Sequence, residues 1–280
     1  MLKVNYRTIR RLIPARRKDS HKGDYGKVLL LCGSVGYTGA AALAAMGALR
    51  TGAGLVYLCV PESIYEIEAV KLTEAIVLPM PDKDGMLSIT AKEKLMTLLP
   101  RMDAVLIGPG LGVSKDVSQL VQWVLQNYNG PIVLDADGIN VMKEHKDVLR
   151  DRTSPTILTP HEGEYVRFSD LPCDDRIHAA VSLAQELGCV VLLKGHKTVI
   201  TDGTSTYQNQ TGNPGMAVGG SGDVLSGVIT SLLGQGLNPV CAAACGAWLH
   251  GKVGDICKNK IGQYGMLPTD MLDVLPRILR

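Results

Sequence analysis

Six apolar runs, at 28–32, 55–60, 104–107, 132–134, 156–158 and 190–193, are each three to six residues long and show no polar alternation. A strand that reads as continuously apolar is buried on both faces, the condition of a parallel sheet held between two layers of helices. The stretches between them supply the helices: 40–50, 91–99, 115–127 and 174–187 place apolar residues at helical spacing, the first followed by Gly52 and Gly54 as stop signals. Past Leu193 the pattern changes. Segments 198–201 and 205–208 flank Asp202-Gly203 and predict an antiparallel hairpin, and 223–233 and 239–255 predict two long helices of small residues. With no internal repeat and no linker, the reading is one domain over 1–280, a three-layer α/β/α fold with a mostly parallel central sheet. Ligands of such sheets sit beyond the carboxyl ends of the strands.

Composition narrows the class. Lys and Arg total 29 against 27 Asp and Glu, a net charge of +2, so no global field draws the chain to nucleic acid or to a lipid surface. Residues 1–27 alone carry nine basic and two acidic side chains, yet offer two aromatics and no nucleic-acid motif, and read as a solvated basic lead-in. The seven cysteines include no C-x-x-C pair and lie mostly in apolar runs, as reduced thiols of a cytoplasmic protein do. Cys241 and Cys245 lie one helical turn apart, but their Ala-rich surroundings favour core packing over metal binding. The start is charged rather than apolar, and no apolar run reaches the ~18 residues that span a bilayer. Glycine is abundant, at 31 residues, and aromatics are scarce, at 4%, so recognition through the backbone is expected to outweigh stacking.

The densest glycine segment, 211–227, runs into a helix at Gly222 or Asp223. Closely spaced glycines let several N–H groups converge, and the helix N-terminus adds partial positive charge, giving an anion hole suited to phosphate. Asp223 is then either an acid stabilised by the helix dipole or a base that takes a proton from a hydroxyl attacking phosphorus. The glycines upstream favour the base, because a dipole-stabilised acid needs none. This is no Walker A loop, since no G-K-[ST] follows, and Gly33, Gly36 and Gly39 miss the Rossmann spacing. Other strand ends carry unusual residues too. Gly108, Gly110 and Gly112 allow close backbone approach or form a plain turn; Asp135 and Asp137 point the same way on an extended chain and contact a ligand or hydrated Mg²⁺, or Asp137 makes an Asx turn. His161 and Glu164 share a face if a helix starts there, and Lys194 meets a phosphate or ribose, or is a solvated strand-end lysine.

Taken together, His21-Lys22-Gly23-Asp24-Tyr25-Gly26, Tyr37-Thr38-Gly39-Ala40-Ala41, Gly108-Pro109-Gly110-Leu111-Gly112, Asp135-Ala136-Asp137-Gly138, Thr159-Pro160-His161, Lys194-Gly195 and Gly219-Gly220-Ser221-Gly222-Asp223 resemble the ADP- or ATP-dependent NAD(P)H-hydrate dehydratases of the ribokinase-like superfamily, in the family's order and from about His21 to Leu279. The resemblance implies repair of nicotinamide cofactor: the S epimer of NADHX or NADPHX, hydrated at C6, returns to NADH or NADPH while ADP (or ATP) gives AMP (or ADP) and phosphate. It implies that Asp223 acts as base with the Gly220 and Gly222 N–H groups on the transferring phosphoryl. Substrate contacts would fall to Ala40 or Ala41, Gly110, His161 and Asp223, and nucleotide contacts to Lys194, Gly195, His196, Lys197, Thr198 and Gly222. His161 and Glu164 stand where many ribokinase-like kinases have an N-x-x-E pair near metal, which makes Glu164 the expected Mg²⁺ ligand. The departures are Glu162 where bacterial members commonly have Pro, Ser221 where Thr is usual, and His196-Lys197 in a variable stretch. The resemblance further implies a homotetramer and a separate epimerase for the R form, since the first motif begins at His21 with no epimerase domain ahead of it. Two readings remain beside it: a ribokinase-like kinase of a small alcohol or vitamin precursor, and a nucleotide-sensing module without turnover.

Overall fold

Along β1 (Lys27–Leu31) the side chains alternate between two cores, Val28 and Leu30 into one and Leu29 and Leu31 into the other, all buried. The same split recurs in β6 (Ala104–Ile107), where Ala104 and Leu106 part from Val105 and Ile107. This two-sided burial is why these strands are apolar throughout. The computed structural model describes residues 4–13 and 15–279.

The main sheet has nine strands: β1, β2 (Leu55–Pro61), β3 (Ile76–Met80), β6, β7 (Ile132–Leu134), β8 (Thr156–Leu158), β9 (Val190–Leu193), β10 (Val199–Thr201) and β11 (Thr206–Gln208). Their order across the sheet is β11-β10-β9-β8-β7-β6-β1-β2-β3, with all pairs parallel except those of β10, which runs antiparallel to both β9 and β11. A small hairpin, β4 (Asp82–Lys83) and β5 (Met86–Leu87), stands apart. After β3 at one edge the chain returns to the far side of β1 as β6, so strand order reverses between β1 and β6 and opens a crevice at their carboxyl ends.

One helical layer contains α2 (Thr38–Arg50), α3 (Tyr65–Lys71), α10 (Ser221–Gly234), α11 (Pro239–Ile261) and α12 (Pro268–Ile278). The other contains α4 (Lys92–Leu98), α5 (Lys115–Asn127), α6 (Asp137–Asn140), α7 (Lys146–Arg150), α8 (Glu162–Ser169) and α9 (Arg176–Leu187). A short α1 (Tyr6–Leu12) precedes β1. Helices α2 and α10 touch backbone to backbone: a Cβ on Gly227 would lie 2.1 Å from the Ala44 carbonyl oxygen, and one on Gly47 would lie 2.6 Å from that of Val224. These two glycines seat α10, and with it Asp223, directly against α2.

Strands β6 to β9 and helix α5 coincide with the expected bounds, and the hairpin β10–β11 forms as expected. Helix α10 begins two residues earlier than expected, and α11 runs on to Ile261 rather than ending at Asp255. Unforeseen are β3, which carries Pro79 and tolerates it as an edge strand, and the β4–β5 hairpin, whose Asp84 (φ 53°) and Gly85 (φ 76°) form its turn. The short or charged helices α1, α3, α6, α7 and α8 also lacked a readable period, whereas α12 is amphipathic, with Met271, Leu272, Val274 and Leu275 buried on one face, a period present in the sequence but not predicted from it. The basic lead-in folds back onto the body, with Arg16 donating to the Gly52 carbonyl and stacking on Tyr25.

Candidate active site

At the crevice, the loop after β1 meets the loop after β6. Gly33 N–H donates to the Pro109 carbonyl at 2.8 Å, and the Ser34 hydroxyl to that of Gly110, also at 2.8 Å. Gly110 (φ 62°) fits because a Cβ there would sit 2.8 Å from the Tyr37 Cβ and 2.9 Å from the Ala40 Cβ. Two expected substrate residues, Ala40 and Gly110, are therefore in contact. Ala41, by contrast, is fully buried behind Gly33, which leaves Ala40 as the alanine whose side chain reaches the opening. The β4–β5 hairpin closes over this end, with the Gly85 carbonyl accepting from Val35 N–H at 3.0 Å and Met86 against Gly112.

Next along the sheet, Asp135 and Asp137 do not point the same way, contrary to the extended-chain expectation. Ala136 adopts φ 48°, so the chain turns and α6 begins at Asp137. Asp137 caps the neighbouring loop, accepting from Gly112 N–H at 2.9 Å and from Asn140 at 3.2 Å. Asp135 is buried and accepts from the Lys194 ammonium at 2.8 Å. Lys194 is thus no free strand-end lysine: its Nζ also lies 3.6 Å from Glu164. Burial alone would lower the Lys194 pKa, but the Asp135 and Glu164 carboxylates outweigh it and hold the ammonium charged.

His161 and Glu164 do meet at a helix start. The His161 Nδ1 accepts from Glu164 N–H at 3.2 Å while the Glu164 carboxylate accepts from His161 N–H at 2.8 Å, a reciprocal cap on α8. The acid expected to hold metal is thereby tied to His161 and Lys194, whereas the His161 ring remains about half exposed.

Helix α10 completes the site. Gly220 (φ 92°) turns the chain into it, and the N–H groups of Gly219, Gly220, Gly222 and Asp223 have no backbone acceptor among the described residues. A Cβ on Gly222 would lie 3.5 Å from Lys194 Nζ and 3.9 Å from Asp135 Oδ2, so the buried ion pair adjoins this first turn. Burial, reinforced by the negative charge of Asp135 and offset in part by Lys194, raises the Asp223 carboxyl from 3.8 to about 6. No described group hydrogen-bonds to that carboxylate. The first turn is braced from α11 by His250, whose Nε2 is 3.4 Å from the Ser221 hydroxyl and whose burial pulls its pKa down to about 4, so the ring is neutral at pH 7. Gly195, His196 and Lys197 form an exposed turn beyond β9, with the Thr198 hydroxyl donating to the Gly195 carbonyl at 2.9 Å.

The family profile described as NAD(P)H-hydrate dehydratase matches residues 28–277, nearly the whole chain. The chain belongs to the NAD(P)H-hydrate dehydratase family. A bifunctional NAD(P)H-hydrate repair enzyme of Moorella thermoacetica is 44% identical over 275 residues, covering 96% of this chain and 52% of that protein. The Escherichia coli repair enzyme of the same description is 38% identical, over 94% of this chain and 49% of its own length. The chain therefore spans about half the length of these curated relatives. Among solved structures, the ADP/ATP-dependent NAD(P)H-hydrate dehydratase from Bacillus subtilis co-crystallised with ATP and Mg²⁺ superposes with a TM-score of 0.84 at 31% identity, covering 98% of this chain and 96% of that one. A ribokinase-like superfamily protein from Enterococcus faecalis gives 0.87 at 29% identity, covering 99% and 94%. The ribokinase-like fold read from the motifs is thus the observed one.

Sequence reasoning had gathered the motifs that follow β1, β6, β7, β8 and β9 at the carboxyl end of the sheet, while the His21–Gly26 motif lies at the amino end of β1; it missed the pairing of Lys194 with Asp135 and Glu164, the His250 brace and the hairpin over the crevice. Only the hairpin left a local signal, Asp84-Gly85 between two short segments. Cys245 lies in the buried core with Cys241 packed against it, the core packing expected of this pair.

Proposed function

We propose that this chain dehydrates the S epimer of NADHX or NADPHX to the reduced cofactor, driven by conversion of ADP to AMP and phosphate, or of ATP to ADP and phosphate. The observation that carries the reading is Asp223: an acid with a pKa raised to about 6, without a hydrogen bond to its carboxylate among the described residues, set in the first turn of a helix where the Gly219, Gly220, Gly222 and Asp223 N–H groups have no backbone acceptor among them. Such a group is ionised at neutral pH yet basic enough to accept a proton. The domain extent, 1–280 as one dehydratase domain, belongs to the same proposal.

In the proposed reaction Asp223 takes the proton of the C6 hydroxyl as that oxygen attacks the terminal phosphorus of the nucleotide. AMP (or ADP) departs, and the C6–O bond of the resulting phosphate ester then breaks as the neighbouring C5 gives up a proton to solvent, so that phosphate leaves and the ring double bond is restored. The Gly219, Gly220, Gly222 and Asp223 N–H groups and the Lys194 ammonium meet the charge on the transferring phosphoryl. Lys194 is fixed for this by Asp135 and Glu164. The glycine and alanine surface of Gly110 and Ala40 receives the nicotinamide side of the substrate, with His161 at its rim, while Lys194, Gly195, His196, Lys197, Thr198 and Gly222 receive the adenine nucleotide.

Mg²⁺ is the expected companion of the nucleotide. It is usually held by phosphates, waters and one or two carboxylates rather than by a protein cage, and Asp135 Oδ2, beside Gly222 and away from the Lys194 hydrogen bond, fits that mode better than Glu164. When bound, it supplies neutralisation of phosphate charge. An epimerase acting on the R form is the proposed functional partner, and a cytoplasmic homotetramer the proposed setting; no described helix is long and apolar enough to cross a membrane.

The test is incubation with S-NADHX and ADP or ATP in parallel, following the near-ultraviolet absorbance of the reduced nicotinamide. Its return, with one phosphate released per turnover and loss in Asp223→Asn, supports the reading. A stable phosphoester with no absorbance change refutes it in favour of a kinase.

A further inference from the structure

The turn expected to hold the nucleotide does not support itself. Gly195 (φ 142°) and Lys197 (φ 56°) force it into a sharp bend in which the carbonyls of Leu193, Lys194 and His196 all face one side chain, Arg176. Its Nη2 donates to Leu193 at 3.0 Å and to Lys194 at 2.9 Å, and its Nη1 donates to His196. The Nε lies 2.9 Å from a Glu162 carboxylate oxygen. The contact also accounts for Gly195, since a Cβ there would lie 2.7 Å from Arg176 Nη2.

The location of Arg176 is unfavourable for a cation taken alone. It is the first residue of α9, where the helix dipole opposes positive charge, and Asp175 caps the helix through the Ile177 and His178 N–H groups. The three carbonyls and Glu162 offset that cost, which marks the arginine as serving the turn rather than the helix. Its rigid fork suits several acceptors at once, as a lysine would not.

The effect on the turn follows from peptide geometry. In a trans peptide the carbonyl of one residue and the N–H of the next point in opposite directions. Capturing the Lys194 and His196 carbonyls therefore aims the N–H groups of Gly195 and Lys197 away from Arg176, and neither has a backbone acceptor among the described residues. Glu162 in turn ties this arrangement to the neighbouring strand end, because it directly follows His161, and Lys194 N–H already donates to the Pro160 carbonyl at 2.8 Å.

We propose that Arg176 is a positioning residue for the adenine nucleotide, presenting the Gly195 and Lys197 N–H donors, and that Glu162 orients Arg176. The proposal rests on residues 194–198 forming the nucleotide site. It is tested by calorimetric ADP binding and by steady-state kinetics on the full chain, comparing the parent with Arg176→Gln, Arg176→Lys and Glu162→Gln. Arg176→Gln is expected to weaken ADP binding and raise its KM by about tenfold or more, the scale of one or two lost charge-assisted hydrogen bonds, with kcat at saturating ADP and the KM for the hydrate changed less than about threefold. Arg176→Lys should fail to restore affinity, and Glu162→Gln should weaken it by a few-fold.

Unchanged ADP affinity in a folded Arg176→Gln overturns the proposal, as does a loss spread evenly over kcat and both KM values. Should Arg176→Gln fail to fold, the exposed Glu162→Gln decides: lowered ADP affinity at unchanged melting temperature supports the proposal, and unchanged affinity overturns it. A parent chain that binds no adenine nucleotide refutes the nucleotide reading itself, whereas a parent that binds while the variants bind equally well refutes only the role of Arg176 and Glu162.

Discussion

Replacing Asp223 with Asn should abolish turnover and stabilise the protein. The Asp223 carboxyl rises from 3.8 to about 6 on folding, chiefly through burial. Between those values the folded state binds the proton more tightly than the unfolded chain, so stability falls as pH rises through that window and the full cost is present above it. A shift of about two units at about 1.4 kcal/mol each gives about 3 kcal/mol as an upper figure, and water at the open end of α10 reduces it to roughly 1–3 kcal/mol. Asn fills the same space without ionising. For a chain of this length, with unfolding entropy of about 2 cal/mol/K per residue, the gain corresponds to about 2–5 °C in melting temperature. The assay is calorimetric or urea unfolding of nucleotide-free parent and variant at pH 4 and pH 8. The variant should be more stable at pH 8 and nearly equal to the parent at pH 4. A variant no more stable at pH 8, or a difference that does not change with pH, would refute the claim that Asp223 is held at a desolvation cost.

Removing the opposing charge should move Asp223 further: Lys194→Met takes away a neighbouring cation that lowers its pKa, so NMR titration of nucleotide-free protein should place the Asp223 midpoint above that of the parent, and a lower midpoint would contradict the electrostatic account. Gly227→Ala drives a methyl to within 2.1 Å of the Ala44 carbonyl, and the forced separation of α2 and α10 should cost about 2 kcal/mol or more in urea unfolding. His250→Leu keeps the bulk of the buried ring but removes the nitrogen beside Ser221; kcat should fall by about tenfold at unchanged hydrate KM, on the scale of a lost positioning contact, and an unaltered kcat would show that the anion-binding turn holds itself. Chelation of Mg²⁺ with EDTA should suppress turnover and weaken ADP binding without lowering the melting temperature of nucleotide-free protein, because no described cluster binds the ion by itself.

The inner sheet was legible because its cause is local. A strand covered on both faces has no place for polar side chains, so β6, β7, β8 and β9 announce themselves as short apolar runs wherever they stand in the chain. The glycines of the α10 turn were legible for a similar reason, since converging N–H groups demand them. The edge strand β3 was hidden by Pro79, whose missing donor matters little at an edge, and α8 by a charged first turn that only the reciprocal bonds of His161 and Glu164 turn into a cap.

By itself the sequence determined the layer architecture, the strand ends that carry chemistry and the placement of Asp223 at a helix start, all consequences of spacing within a few residues. Tertiary structure alone decided what those groups are. Lys194 and Asp135 are 59 residues apart and pair because strand order sets β7 two places from β9, with β8 between them. Asp135 and Asp137 part company because one residue, Ala136, adopts a positive φ. The raised pKa of Asp223, the neutrality of His250 and the grip of Arg176 on the turn after β9 arise from burial and from charges brought together across the sheet, and these are properties of the folded environment rather than of any stretch of chain.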